Sequence, residues 1–267
     1  MSYQNPAFMV AHPSSLRSIA DFATLASNTF TDDSKRALID SRQGEQASYT
    51  ADGAASGFTL DMGSTTAADP VNRLVVPGGH TFDGYIVLLI SGVTLGSISV
   101  RSSTVVADKG VIDASFSDRN GDQFWGLQVI NSVASDVFSF GEFWVGNRRS
   151  LNTNDARVDQ GFEREYEHDL SEEDFGGRTV SLELSPARRS FSLQVRDLDP
   201  SGADFATLDE VIRDGRSKPF WYWTPDSTDT GPYLVKLTRA ARRKQSSKVP
   251  TVRSRYEVSI EMLEQVT

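Results

Sequence analysis

The sequence contains no cysteine. Disulfides, thiolate metal sites and cysteine nucleophiles are therefore excluded, and nothing points to an oxidising compartment. Histidine is nearly as scarce: His12, His80 and His168 stand far apart and match no ligand spacing such as HExxH. Long apolar runs are missing too. The strongest, Tyr85 to Ile90, falls far short of the roughly 20 residues a membrane-spanning helix needs. No GxSxG, P-loop, GxGxxG or SxxK motif is present, so no catalytic, cofactor or metal site is expected. An excess of positive charge is also lacking. With 27 Lys and Arg against 36 Asp and Glu, the net charge is −9, which argues against specific or general nucleic-acid binding by the surface.

What is present is length enough for two domains and a sizeable core, which at this size buries roughly 70% of the unfolded surface without a covalent staple. Charge is unevenly spread. Residues 1–147 carry 8 basic and 15 acidic side chains, whereas 148–267 carry 19 and 21. That asymmetry places a division at 148/149. The opening stretch Met1–Val10 has neither a charged segment nor a long apolar one, so no signal peptide and a protein made and kept in solution are the expectation.

The first half reads as short strands separated by turn formers. Gly57–Met62 alternates apolar and polar residues, the period-2 pattern of a half-buried strand. Asn72–Val76 stops at Pro77-Gly78-Gly79, followed by His80 as a turn residue. Gly84–Ile90, Thr94–Val106, Val111–Phe116, Phe124–Ile130 and Phe138–Val145 continue at a spacing of about ten residues, the pattern of a sandwich or jelly roll. Residues 146–160 form a polar connector. The second half has alternating strands at Arg178–Leu184 and Ser190–Val195, separated by Pro186 to Arg189. One helix follows, with Ser201 and Asp204 as a capping-box-like start, Phe205, Leu208, Val211 and Ile212 on one face, and Asp214-Gly215 as its stop. Strands at Lys218–Trp223, Tyr233–Thr238 and Arg255–Leu263 complete a barrel-like domain with one helix. The fold class is mostly β: a sandwich over 1–148 and a barrel-like domain over 149–267.

Four constellations invite a functional reading. Glu163, Glu165, Glu167 and Asp169 recur at every second position, so on a strand they share a face and could act as an acid/base pair. A solvated strand face or polar loop explains them more simply. Asp118-Arg-Asn-Gly-Asp122 begins like a calcium loop, but Gln123 stands where Gly is needed and Val129 where Glu is needed; Asn120-Gly121 reads instead as a hairpin turn. Phe220-Trp221-Tyr222-Trp223 could be an aromatic platform or, more economically, a strand packed on both faces. Trp125 and Trp144 read as packing residues as well. The stretch Lys236 to Arg255 carries eight basic residues and no acidic one, centred on Arg242-Arg243-Lys244. Without interleaved aromatics it reads as a polar hairpin, solvated or docked on an acidic neighbour.

Two sets of segments carry a resemblance. Phe58–Gly63, Asn72–His80 and Gly141–Gly146 resemble the discoidin-like (galactose-binding-like) sandwiches of phage tail and fibre proteins. Gly177–Glu183, the helix, Lys218–Phe220 and Tyr256–Ile260 resemble the barrel-plus-helix unit of distal tail and tube-like proteins. The resemblance implies a virion component: a ring-forming distal tail or tail-tip protein, with six copies expected, meeting the tail tube, the hub and the host-attachment apparatus. Phe220, Trp221, Tyr222, Trp223, Arg242, Arg243 and Lys244 are then the candidate subunit interface. The rival is a carbohydrate-binding module recognising host surface glycans. No ligand residues are carried over, because the cysteine pair and exposed aromatic loop tips of many discoidin-like lectins have no counterpart here.

Overall fold

A computed structural model describes residues 5–9, 46–51, 53, 55–61, 70–94, 97–151, 157–158, 163–175, 178–226, 231–239, 241–245 and 255–265, with backbone alone for those between 157 and 187. The protein is mostly β. Every strand pairing among the described residues is antiparallel. Strand contacts divide the chain into two units, Ala11–Arg148, and Met1–Val10 with Arg149–Val266.

The first unit is sandwich-like. β2 (Ala47–Thr50) pairs with β9 (Val137–Phe140), and β10 (Trp144–Gly146), β4 (Val71–Val76) and β7 (Ile112–Arg119) form a second sheet. A third has the order β3 (Ala55–Asp61), β8 (Phe124–Ile130), β5 (Ile86–Gly92), β6 (Ser99–Val105). All three sheets give side chains to one core. Alternate residues Trp125, Leu127 and Val129 of β8 enter it, as do Leu74 and Val76 of β4 and Phe138 and Phe140 of β9. Phe58 stacks on Phe140 at 5.2 Å, and Phe82 lies 5.2 Å from the same ring. Each such fully buried aromatic or aliphatic side chain contributes about 1.5–3 kcal/mol.

In the second unit, β1 (Ala7–Met9) lies between β11 (Arg149–Ser150) and β15 (Phe220–Trp223). The sheet continues through β16 (Tyr233–Leu237), β18 (Tyr256–Glu264) and β14 (Arg178–Leu198) to β12 (Arg157–Val158). β13 (Glu163–Phe175) joins β14, and β17 (Arg242–Gln245) joins β18. Helix α1 (Ala203–Asp214) buries Asp204, Thr207, Leu208 and Val211, one stripe at helical spacing. Leu208 and Val211 share a core with Phe191, Leu193, Tyr222 and Ile260 from the sheet.

Several expectations need correction. The boundary at 148/149 left residues 1–10 with the sandwich, but β1 hydrogen-bonds into the second unit's sheet. The sheet's strand order runs from β11 to β12, and no pairing among the described residues closes it into a barrel. Pro186 does not divide two strands. β14 runs through it, because the register with β13 skips from Arg188 to Ser185 and leaves the proline at a bulge, where its missing N–H costs no ladder bond. The helix is capped by Gly202 with no side-chain hydrogen bond; the Ser201 hydroxyl donates to Asp199 instead at 2.7 Å. The expected stop holds, with the Gly215 N–H bonded to the Val211 carbonyl at 2.8 Å. The connector 146–160 contains β11 and β12; its residues 152–156 and 159–160 lie outside those described, as do His12 and residues 246–254 of the basic stretch.

β13 and β14 also form an arm. β18 meets β14 only from Ser190 onward, whereas β13 stays paired with β14 out to Phe175 and Arg178. From Asp169–Phe175 and Arg178–Ser185, this ribbon has two strands only among the described residues.

Candidate functional site

The carboxylate run lies on a strand, β13, and not on a loop. Its register is interrupted, with shifts between Glu167 and Asp169 and again between Asp169 and Leu170. Glu163, Glu165 and Glu167 stand opposite Ser192, Ser190 and Arg188 of β14. None of these three directly paired positions on β14 is a carboxylate.

The calcium-like loop is committed elsewhere. Asp118 accepts from the Asn72 amide at 3.1 Å, while Asp122 turns inward with its side chain 2% exposed. Its Oδ2 accepts from the Ser91 hydroxyl at 2.7 Å and from Arg119 Nε at 3.1 Å, and it lies 3.2 Å from an Arg101 guanidinium nitrogen. Arg101 is itself oriented by Ser91, donating to its hydroxyl and its carbonyl. Burial opposes the charge on Asp122, but the Ser91 and Arg119 hydrogen bonds and the two guanidinium charges more than offset it, holding the carboxyl below the usual range. Among the described residues no group of His, Asp and Glu gathers as a metal site. The hairpin expectation is corrected as well. Gly121 has the positive φ of a turn (84°), but β7 and β8, which it connects, pair in different sheets.

Phe220–Trp223 form a central strand between β1 and β16, and all four side chains are buried. They therefore drop out of the candidate subunit interface: the chain's own fold covers them. Phe8 stacks on Tyr222 at 5.2 Å, and Phe191 meets the same ring edge-on at 5.5 Å. The Tyr222 hydroxyl, fully buried, has no hydrogen-bond partner among the described residues, and burial pushes its pKa well up. Tyr222→Phe should therefore raise stability by about 1 kcal/mol, since an orphaned polar group is removed and the ring is kept. Urea unfolding checks this, and a loss of stability would show that the hydroxyl has a partner. Trp125 and Trp144 are buried as expected; their indole N–H groups donate to the Asp122 carbonyl at 3.3 Å and to Glu142 Oε2 at 2.5 Å.

The basic centre Arg242-Arg243-Lys244 occupies β17, exposed at every position. Arg243 forms an ion pair with Asp209 of the helix and lies over the Phe205 ring at 5.3 Å. Arg242 and Lys244 make no ion pair among the described residues. Nearby, Arg239 pairs with Glu261 at 3.3 Å and Arg255 with Asp199 at 3.7 Å. His80, which follows the turn after β4, is buried. Its Nδ1 accepts from the Phe82 N–H at 3.4 Å, and burial lowers its pKa despite nearby Gly110, Asp83 and Asp108.

One polar group escaped the sequence reading. On the sheet formed by β10, β4 and β7, Arg73 holds Asp113 through two bonds of 2.5 and 2.6 Å. Asn72, at the register shift between Val71 and Arg73, also donates to Asn147 at 3.0 Å and accepts from the Arg148 N–H at 2.8 Å. Burial and the neighbouring Arg73 charge lower the Arg148 pKa, against the pull of Asp113. The repeated Asn-Arg pairs at 72–73 and 147–148 were the available signal; they meet because β4 and β10 run antiparallel.

No known family and no curated protein matches the sequence. Among solved structures, similar chains include chitosan-binding module 1 of a chitosanase/glucanase from Paenibacillus sp. IK-5 (15% identity, 48% of this chain and 97% of that one, TM-score 0.37). Others are a CBM32 module of a family 31 glycoside hydrolase from Clostridium perfringens (14%, 48% and 94%, 0.37) and the C-terminal domain of a chitobiase from Bacteroides fragilis (10%, 54% and 99%, 0.39). Likeness at this level carries no ligand, substrate or partner across to this chain. The chain is a two-unit, mostly β protein whose conspicuous carboxylates and aromatics, where their side chains are described, are engaged in packing, hydrogen bonds and ion pairs.

Proposed function

We propose that the chain works by assembly and binding, not catalysis, as a ring-forming structural subunit of a phage tail tip. The second unit builds the ring, and the sandwich-like unit is carried on it as an attachment or decoration module. The observation that supports this most is the two-stranded β13–β14 arm. An isolated ribbon of this kind is marginal in water, and strand edges left without partners invite pairing with another chain. A partner that covers the arm accounts for it. The sequence resemblance to distal tail proteins supplies the assembly, and the net negative charge suits a conduit that repels passing DNA.

Light scattering on the full-length protein, with negative-stain images of the same sample, tests the reading. A closed ring of several copies, six by resemblance, is the expected result; a single-chain mass at every concentration, with no ring in the images, would overturn it. A second reading rests on the polar face around Asn72, Arg73, Asp113, Asn147 and Arg148, half-buried groups of the kind that hydrogen-bond sugar hydroxyls. It makes the sandwich-like unit a carbohydrate-binding module. A glycan array probed with the full chain decides: a blank array removes this reading and leaves the ring untouched.

A further inference from the structure

Among the described residues, two edges of the second unit have no strand partner, and they carry opposite charge. The arm is acidic: residues 169–185 include Asp169, Glu172, Glu173, Asp174 and Glu183 against the single basic Arg178. The outer edge of β17 is basic. Arg242, Arg243 and Lys244 are exposed there, only Arg243 has an acidic partner among the described residues, and no described strand pairs with β17 other than β18.

The order of strands keeps these edges apart within one chain. β18 takes β16 and β17 along one side and β14 along the other, and β14 takes β12 and β13 on its far side. The acidic arm extends past the Ser190–Leu263 end of the β18–β14 pairing, whereas β17 lies on the other side of β18 near its Tyr256 end, so the two stand apart within one chain. Two different edges that complement each other make a head-to-tail contact, and head-to-tail contacts generate rings or filaments. Lengths are compatible as well. At about 3.3 Å per residue, β17 spans about 13 Å and the eight residues Arg178–Ser185 about 26 Å, so one arm can run the whole of β17.

We infer that, in an assembly of this chain, the acidic β13–β14 arm of one copy lies along the basic β17 edge of the next copy. This rests on the ring-building reading and names its interface. Opposed charges steer the two edges together and set their register, and the strand edges then hydrogen-bond.

Charge reversal tests it on the full chain. Arg242→Glu with Lys244→Glu, and separately Glu172→Lys with Glu173→Lys, should each move the association midpoint in light scattering to higher concentration by about tenfold or more. The four changes together should restore association toward the wild-type value. Association of the wild type should also weaken with added salt. If reversal at β17 lowers the melting temperature, Arg242→Gln with Lys244→Gln replaces it, with the same expected direction. Wild-type rings that ignore both reversals, or a four-fold variant that stays as weak as its parents, would overturn this interface and leave the ring reading standing. A wild type that stays monomeric at every concentration would overturn both.

Discussion

Asp122→Ala is expected to destabilise the sandwich-like unit by about 3–5 kcal/mol, the usual cost of deleting one partner of a buried ion pair. Asp122 is the shared anion of Arg101 and Arg119, and Arg101 is only 16% exposed, so its charge loses its counter-ion in a place water reaches poorly. Ser91, fully buried, loses the carboxylate its hydroxyl donates to. Asp122→Asn preserves the shape and some hydrogen bonds, and should cost less. The pH response follows from the lowered pKa. The stability contributed by the charge is present above the unfolded value of about 3.9, and is lost as pH falls through that value toward the folded one. Wild type should therefore lose stability on acidification in that window, and the Asn variant should lose less. Urea unfolding followed by tryptophan fluorescence is the measurement, with Trp125 donating to the Asp122 carbonyl and so close to the event. A loss below about 1 kcal/mol for Asp122→Ala, with an unchanged m-value, would show that the pair contributes little net stability.

How much of this was legible beforehand depends on whether a feature is local. Alternation in Gly57–Met62 and the turn at Pro77–Gly79 identify β3 and the end of β4 because a strand's period and a turn's dihedral needs are written within a few residues. The apolar stripe of α1 and the strand at Phe220–Trp223 were legible for the same reason. What stayed hidden was pairing. Ala7–Met9 is too short to carry a period, and its partners β11 and β15 lie in the distant second half of the chain. Asn120-Gly121 announced a turn truthfully, but nothing local says that the strands on either side belong to different sheets. Pro186 looked like a breaker because sequence does not reveal a bulge that spares its missing N–H. Asp118 and Asp122, four residues apart in a ligand-like pattern, point to different partners, Asn72 and Ser91, which only the meeting of separate strands could disclose.

Gly126→Ala should be the most damaging glycine replacement among the described residues, costing about 3 kcal/mol or more. Gly126 sits in the middle of β8, a strand flanked on both sides, opposite Thr59 of β3 and Ile90 of β5. A Cβ there would meet the Phe58 carbonyl oxygen in overlap, and would lie 2.8 Å from the Phe58 carbonyl carbon and 2.9 Å from the Thr59 Cα. All three are backbone atoms of a paired strand, so relief cannot come from a rotamer change. β3 must move away from β8, and Phe58 and Leu60, both buried in the shared core, must move with it. Overpacking that shifts backbone costs more than the 1–3 kcal/mol typical of an added methylene when ladder hydrogen bonds are lost as well. Gly53→Ala provides the contrast, because nothing lies within 4 Å of a Cβ built at that position. It should be neutral, or stabilising by a few tenths of a kcal/mol through the unfolded chain. Chemical unfolding of the two variants side by side separates close backbone approach from the general effect of replacing glycine. If Gly126→Ala stays within about 0.5 kcal/mol of wild type, then β3 and β8 have room to part and the tight pairing at the centre of this sheet does not hold the core together.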